Sequence, residues 1–321
     1  MITKEERRLP IGLLGCGPIS QAAHLDAIRK ARNADLYAIC DVAHDLTARI
    51  AAMYEPEVVY NDFSDMLADA NVDAVVVAVA DQFHVPLCKT ALQSGKHVLI
   101  EKPLGTTVEE CEGLRGPVES SGLVVQIGNN RRFEPGMTAA QRFVRDEIGA
   151  LLTLDAWYYY SIYRYTMQDN LYPLPVETAH SRRPPGNWKA DRERYLLLTH
   201  GAHLVDTARF LAGAIESVHA RHVAHGQTHA WSIELEFQSG TVGHLELISP
   251  RHGDFEEGFR VHGSHGSVSG ASLLPWFQHF LWPAPDCPVC QRKSLRASPR
   301  VLAPPPRLAE FASLLCPARS T

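Results

Sequence analysis

The chain has 321 residues, of which 45% are hydrophobic and 21% are charged, and its formal net charge is -5. These values are typical of a globular protein large enough for two domains, and they argue against nucleic acid as a partner. Residues 1–8 are charged and only a short apolar stretch follows, so we expect no signal peptide, no membrane span and a cytoplasmic location.

In the first part of the chain, short apolar segments alternate with helical patterns. Such alternation predicts a parallel sheet with helices on both faces. We assign residues 1–133 to this first domain. Its predicted strands are residues 11–15, 36–41, 58–60, 74–80, 97–101 and 123–128.

The first predicted strand runs into a turn of sequence Gly-Cys-Gly-Pro-Ile-Ser. Gly15 permits a sharp turn out of the sheet, and Gly17 has no side chain to keep the main chain from a pyrophosphate. N–H groups from about Ile19 onward face the phosphate charge. Pro18 stands where a first-turn proline costs no hydrogen bond, and Ser20 is small enough to replace the third glycine of the dinucleotide-binding fingerprint. The turn therefore predicts a dinucleotide site.

Asp41 ends the second predicted strand, at the place where an acid accepts both ribose hydroxyls of the adenosine. The alternative is that Asp41 caps the helix that follows. Its carboxylate would repel a 2'-phosphate, and positions 42 and 43 carry no arginine to neutralise one. We therefore expect NAD as the cofactor, in preference to NADP.

The pattern changes in the second part of the chain. Residues 134–148 form a predicted helix that ends at Gly149, and residues 199–211 form another that ends at Gly213. The other apolar segments read as strands joined by turns at residues 238–240 and 263–266, which predicts an open, largely antiparallel sheet. These strands are residues 151–165, 217–224, 230–237, 241–248 and 258–262.

The predicted fold class is α/β, with an N-terminal parallel sheet and a C-terminal α+β domain that contains the antiparallel sheet. We assign residues 134–275 to that second domain, as the region for substrate binding and oligomerisation. Residues 276–321 are rich in proline and have few periodic apolar positions, so they are predicted to be an irregular tail.

Cysteine and histidine spacing gives no metal signal. The seven cysteines are scattered, and the pair Cys287 and Cys290 lacks the second pair that a zinc site requires, so we expect free thiols. His219, His222 and His225 lie on a predicted strand, where odd spacing sends neighbours to opposite faces. No metal site is predicted.

Four sequence runs occur in a fixed order along the chain. They are Asp-Gln-Phe-His at residues 81–84, Gly-Lys-His-Val-Leu-Ile-Glu-Lys-Pro-Leu at 95–104, Arg-Arg-Phe at 131–133 and Gly-Ala-His-Leu-Val-Asp at 201–206. Together they resemble the glucose-fructose oxidoreductase and inositol dehydrogenase family, the Gfo/Idh/MocA group, over roughly residues 9–270. The resemblance implies a Rossmann domain joined to an open mixed sheet, with the active site in the cleft between them. It also implies NAD(P)-linked oxidation or reduction of a sugar, polyol or related alcohol.

Oxidation of a secondary alcohol requires a base within hydrogen-bond reach of the hydroxyl. Lys102 fits this role, because a cleft beside an oxidised nicotinamide lowers the pKa of a lysine; the alternative is a solvated loop lysine paired with Glu101.

The resemblance implies that His203 binds or deprotonates the substrate hydroxyl; the alternative is a core histidine paired with Asp206. The family commonly has an aspartate four residues before this histidine. Here that residue is Thr199, which can donate a hydrogen bond but carries no charge to stabilise an imidazolium.

Other residues of the four runs, and two residues outside them, are expected to contact the ligands. One of the latter is Trp188, which precedes the second predicted helix; it either stacks on a ring-shaped substrate or simply packs in the core. We expect cofactor contacts from Asp81, His84, Glu101 and Lys102, and substrate contacts from Arg132, Trp188, Thr199 and His203.

The expected function is NAD-dependent hydride transfer with a secondary alcohol of a sugar, cyclic polyol or sugar-like molecule. Two alternatives are a redox glycosidase or epimerase that retains its NAD, and a non-catalytic NAD-binding regulatory protein. The last is suggested by Thr199 and by the tail. The aromatic run that begins at Trp157 would expose an apolar sheet face in a monomer, so we expect a homodimer or homotetramer.

Overall fold

The computed structural model describes residues 7–161, 176–180, 188–253 and 255–271. The strands of the first domain are β1 (Leu9–Leu14), β2 (Ala34–Cys40), β3 (Val58–Tyr60), β4 (Ala74–Val77), β5 (His97–Ile100) and β6 (Val125–Ile127). They form one parallel sheet in the order β3-β2-β1-β4-β5-β6, which confirms the predicted architecture. The order reverses between β1 and β4, and ligands of such sheets bind beyond the carboxyl ends of the strands at that point.

Helices cover both faces of this sheet. They are α1 (Leu25–Lys30), which continues from a π-helical turn at Ser20–His24, α2 (His44–Tyr54), α3 (Phe63–Ala68), α4 (His84–Gln93) and α5 (Val108–Ser121). β4 is buried along its whole length. Its Val76 packs with the cluster around α1 and α2, and Val75 and Val77 pack with the cluster on the opposite face. A strand apolar on both sides requires this double covering.

The second domain contains a six-stranded open sheet. Its elements are α6 (Pro135–Asp146), β7 (Leu151–Ser161), α7 (Arg192–Leu196), a π-helical turn (Leu197–Gly201), α8 (Ala202–Ala212), β8 (Ile215–His225), β9 (Thr228–Phe237), β10 (Val242–Arg251), β11 (Glu256–Gly263) and β12 (Ser267–Ala271). The strand order is β12-β11-β7-β10-β9-β8. β7 and β10 are parallel and the other neighbouring pairs are antiparallel, which confirms the mostly antiparallel sheet.

One face of the second sheet packs against α6 and α8, and the aromatic run of β7 is divided between the two faces. Tyr158 and Tyr160 are buried in the core, whereas the Tyr159 hydroxyl donates to Glu246. Arg131 joins the loop after β6 to β11 through two hydrogen bonds to Glu257, at 3.1 and 2.8 Å. Both side chains are buried.

Several predicted boundaries differ from the structure. The strand predicted at residues 74–80 ends at Val77, and the helix predicted to begin at residue 199 is the end of a longer helical run that begins at Arg192. The earlier start follows from Asp191, whose carboxylate accepts the Arg194 N–H and caps α7. Residues 162–165 of the predicted seventh strand, and the tail with its three cysteines, lie outside the described residues.

Candidate active site

The turn after β1 has the backbone geometry that its glycines predict. Gly15 has a φ of +93°, and a Cβ added there would lie 2.3 Å from the Ala78 carbonyl oxygen. The Ser20 hydroxyl donates to the Gly15 carbonyl at 2.5 Å and closes the turn. A Cβ added at Gly17 would meet no atom within 4 Å, so the chain is open to an approaching group there. Helix geometry begins at Pro18, which leaves free N–H groups at this opening.

Asp41 lies against the same turn. Its Oδ2 accepts the Cys16 N–H at 2.9 Å and its Oδ1 accepts the Ala43 N–H at 3.0 Å. The second contact belongs to the capping alternative, but the first ties the carboxylate to the glycine turn. Each carboxylate oxygen can accept a further hydrogen bond, so Asp41 remains able to bind a ribose hydroxyl. With the open turn and the exposed side chain of Ile19, the residues fit a dinucleotide.

The thiols beside this turn are not reactive groups. Cys16 and Cys40 are buried, and burial, with the charge of Asp41, raises the pKa of each thiol to about 12. Both are neutral at physiological pH and act as small apolar side chains.

Glu101 and Lys102 follow β5 and face different groups. The Lys102 Nζ donates to the Thr199 carbonyl oxygen at 3.4 Å, a contact between the two domains. The Glu101 Oε1 lies 2.8 Å from the His24 Nε2, and its Oε2 accepts the Lys102 N–H at 3.1 Å. Burial alone would raise the pKa of the Glu101 carboxyl, but the hydrogen bond and charge of His24, together with Lys102, bring it below its usual value.

The helical run of the second domain brings two histidines to the aromatic side chains of β7. The His200 ring is buried and stacks on Tyr160 and Tyr158, with centroids 4.3 and 5.4 Å apart. The His203 ring is nearly parallel to Tyr158 at 6.3 Å. His203 is half-buried, so it is the more accessible histidine of this pair. Because Thr199 lies in the π-helical turn of the same run, Lys102 and His203 belong to one region.

Arg132 binds the carboxylate of Asp206, the residue that the sequence suggested as an alternative partner for His203. Its guanidinium donates to both oxygens of Asp206, with the shortest distance 2.6 Å, and Asn129 donates to the same carboxylate at 2.9 Å. The guanidinium also lies over the Phe210 ring, 5.2 Å from its centroid. Arg132 thus anchors the loop after β6 to α8, the helix that carries His203, and its side chain is 38% exposed.

The other predicted contact residues are more dispersed. His84 is fully buried, and its ring nitrogens lie 2.7 Å from the Pro103 oxygen and 3.2 Å from the Val79 oxygen. It therefore supports the loop that carries Lys102. Asp81 lies 3.5 Å from the Lys189 Nζ across the domain boundary. Trp188 begins a short 3-10 helix, and its side chain lies outside the described part of the chain.

Two residues of the first helix were missed in the sequence. His24 contacts Glu101, and Gln21 makes hydrogen bonds to both the N–H and the carbonyl of Val176, at 2.7 and 3.0 Å. Gln21 also donates to the Cys16 carbonyl at 2.8 Å. The available signal was the three-residue spacing of these two polar side chains at the start of the helix that follows the glycine turn.

The structure also bears on metals and membranes. Among the described residues, His, Cys, Asp and Glu side chains form no group of three or more with the arrangement of a metal site. His222 instead stacks on Trp231 and lies 3.0 Å from His229 between ring nitrogens. In the same part of the chain, no helix has the length and apolar character needed to cross a membrane.

Comparisons with known proteins agree with the two-domain fold. A family model described as an oxidoreductase family with an NAD-binding Rossmann fold matches residues 9–129, and a Gfo/Idh/MocA C-terminal domain model matches residues 137–269. A 4-carboxy-2-hydroxymuconate-6-semialdehyde dehydrogenase of Sphingobium sp. is 26% identical over 80% of this chain and 77% of its own length. Inositol 2-dehydrogenase 2 of Saccharopolyspora erythraea is 32% identical over 63% of this chain and 53% of its own length.

A similar solved structure is that of scyllo-inositol dehydrogenase from Lactobacillus casei with bound NAD(H) and scyllo-inositol. It has a TM-score of 0.67 and 22% identity, over 83% of this chain and 77% of that one. At this identity the likeness supports the two-domain fold alone.

Proposed function

The chain belongs to the Gfo/Idh/MocA oxidoreductase family, and from that premise we propose that it transfers a hydride between NAD and a secondary alcohol of a sugar, cyclic polyol or sugar-like molecule. The contact between the Lys102 Nζ and the Thr199 carbonyl carries the proposal, because it joins the loop after β5 to the helical run of His203. The relatives named inositol 2-dehydrogenase and D-apiose dehydrogenase supply the substrate class.

The chemistry divides between the cofactor and the chain. When bound, the nicotinamide accepts or returns the hydride. The chain must then hold the hydroxyl and take its proton, for which a neutral amine or imidazole within hydrogen-bond reach is required. We assign the proton to Lys102 and substrate orientation to His203, with the Arg132 guanidinium as a further hydrogen-bond donor to the substrate.

We propose NAD over NADP from the position of Asp41. Its carboxylate is held at the glycine turn by the Cys16 N–H, and rotation away from a 2'-phosphate would break that bond. A phosphate placed beside a fixed carboxylate experiences direct like-charge repulsion. The N–H groups of Gly17 and Ile19, on either side of Pro18 at the helix N-terminus, would hold the pyrophosphate.

The test is a panel of sugars and cyclic polyols with NAD and NADP, followed by the absorbance of the reduced cofactor. Lys102→Ala should lower kcat by about 100-fold or more, the range for loss of a general base, while NADH binding stays unchanged. Lys30→Ala, an exposed lysine of α1, is the matched control. A Lys102→Ala variant with wild-type turnover would place the base elsewhere. Tight NAD binding with no turnover on any alcohol would favour a regulatory protein.

One observation favours a second candidate, a redox glycosidase or epimerase that keeps its NAD. Residues 176–180 contact the first domain at two places: Gln21, in the helical turn after the glycines, binds Val176, and Asp45, in α2, accepts the Thr178 hydroxyl at 2.6 Å. These bonds would oppose cofactor exchange. Turnover of glycosides without net NADH, by a protein that copurifies with NAD, would support this candidate over a dehydrogenase.

A further inference from the structure

The Glu101 carboxylate joins two groups that are far apart in the sequence. One oxygen meets the His24 Nε2 at 2.8 Å and the other accepts the Lys102 main-chain N–H at 3.1 Å. The His24 and Glu101 side chains are only 14% and 16% exposed. The two contacts leave the carboxylate little freedom to turn toward another partner.

The direction of the His24 hydrogen bond follows from the state of the carboxyl group. The pKa of Glu101 is lowered, so the group is an ionised, acceptor-only carboxylate at neutral pH. The hydrogen between the two side chains must therefore lie on the His24 Nε2. The π-helical turn at Ser20–His24 carries this donor to the end of β5, and such turns occur frequently at functional sites.

We propose that His24 is a positioning residue for Lys102 that acts through Glu101: it holds one carboxylate oxygen so that the other stays on the Lys102 amide and not on its amine. The inference rests on the proposed role of Lys102 as the base. The charged groups that act on Glu101 are His24, from the first helix, and Lys102, from its own loop. From the β6 side, a Cβ added at Gly128 would lie 3.5 Å from the Glu101 Cδ.

Loss of the His24 donor frees the carboxylate beside a lysine amine on the next residue. An anion within about 4 to 6 Å stabilises the protonated amine and raises its pKa. A protonated amine cannot accept a proton from an alcohol. His24 therefore supports Lys102 as the base by keeping the Glu101 carboxylate hydrogen-bonded to the Lys102 main-chain N–H.

The experiment measures the protonation of Lys102 directly. The full chain is acetylated with limiting acetic anhydride across a pH series, and the Lys102 peptide is quantified by mass spectrometry. His24→Phe keeps a ring but removes the donor, and it should raise the acetylation midpoint by about 1 pH unit. His24→Ala is a second variant without the donor. His24→Gln, whose amide can reach the same oxygen, should retain the wild-type midpoint.

Two controls separate the effect from general disruption. Lys30, farther along the same first helix, should keep its reactivity in every variant. His244→Ala, an exposed histidine of β10, should leave the Lys102 midpoint unchanged. Adding Glu101→Gln to His24→Phe should lower the midpoint to the wild-type value or below it, because the Glu101 charge that acts on Lys102 is then absent.

The proposal is overturned by equal midpoints in wild type, His24→Phe and His24→Ala. It is also overturned if His24→Gln behaves as His24→Phe, or if adding Glu101→Gln to His24→Phe leaves the midpoint raised. Labelling requires no substrate, so a chain that oxidises no alcohol would refute the proposed function and leave this measurement standing.

Discussion

The two glycines of the turn after β1 should fail in different ways when each is replaced by alanine. Gly15 has a positive φ, and its added Cβ would lie 2.3 Å from a backbone oxygen of Ala78. Left-handed strain and overpacking each cost about 1 to 3 kcal/mol, so we expect Gly15→Ala to lose about 2 to 6 kcal/mol of unfolding free energy. The added Cβ of Gly17 meets nothing within 4 Å, so Gly17→Ala should stay within about 0.5 kcal/mol of wild type.

Cofactor affinity should show the reverse order in variants that fold. A methyl group at Gly17 occupies the space where a pyrophosphate would approach the main chain, so NADH should bind about tenfold more weakly or worse, a loss of about 1.4 kcal/mol. Urea unfolding followed by circular dichroism gives the first quantity, and NADH fluorescence titration gives the second. Gly116→Ala, in α5 and with open space at its added Cβ, is the control for both. Wild-type NADH affinity in Gly17→Ala would refute the assignment of this turn to the pyrophosphate.

Four further outcomes are expected. Asp41→Ser should lower the ratio of NADP to NAD dissociation constants about tenfold, because the like charge is removed; an unchanged ratio would contradict the assignment. Glu257→Gln should reduce the unfolding free energy in urea by about 3 kcal/mol, the lower end for a broken buried pair, since a second carboxylate still engages Arg131. Thr199→Asp should raise the apparent pKa in the pH–rate profile by stabilising a protonated His203, with NAD affinity unchanged; an unaltered profile would separate position 199 from proton transfer. Light scattering at micromolar concentration should give a dimer or tetramer, and a monomer would argue against pairing through the open sheet.

The parts of the site that the sequence could predict depend on local backbone rules. Gly15 is required by a positive φ, Ser20 by close packing against the turn, and Asp41 by its place at the end of a strand next to β1. Parallel strands end at the same edge of their sheet, so the loop of Lys102 could be placed near the turn from strand order alone. These inferences need no knowledge of how the second domain packs.

The contacts between distant segments could not be predicted in the same way. Arg132 and Asp206 are 74 residues apart, and their pairing depends on how α8 lies against the loop after β6. His84 belongs to a run associated with cofactor binding, yet the structure buries it beneath the Lys102 loop. A sequence pattern reports that such residues belong together without stating which of them reach the cleft.

The two π-helical turns explain why the region around Lys102 is the hardest to infer. A π turn contains one more residue than an α-helical turn, so a 3.6-residue period assigns the side chains after it to the wrong face. Ser20–His24 brings His24 to Glu101, and Leu197–Gly201 brings the Thr199 carbonyl to the Lys102 amine. The second contact uses a main-chain oxygen, so it is available whatever side chain stands at position 199. The threonine in place of the usual aspartate therefore removes a charge near His203 without removing the contact that joins the two domains.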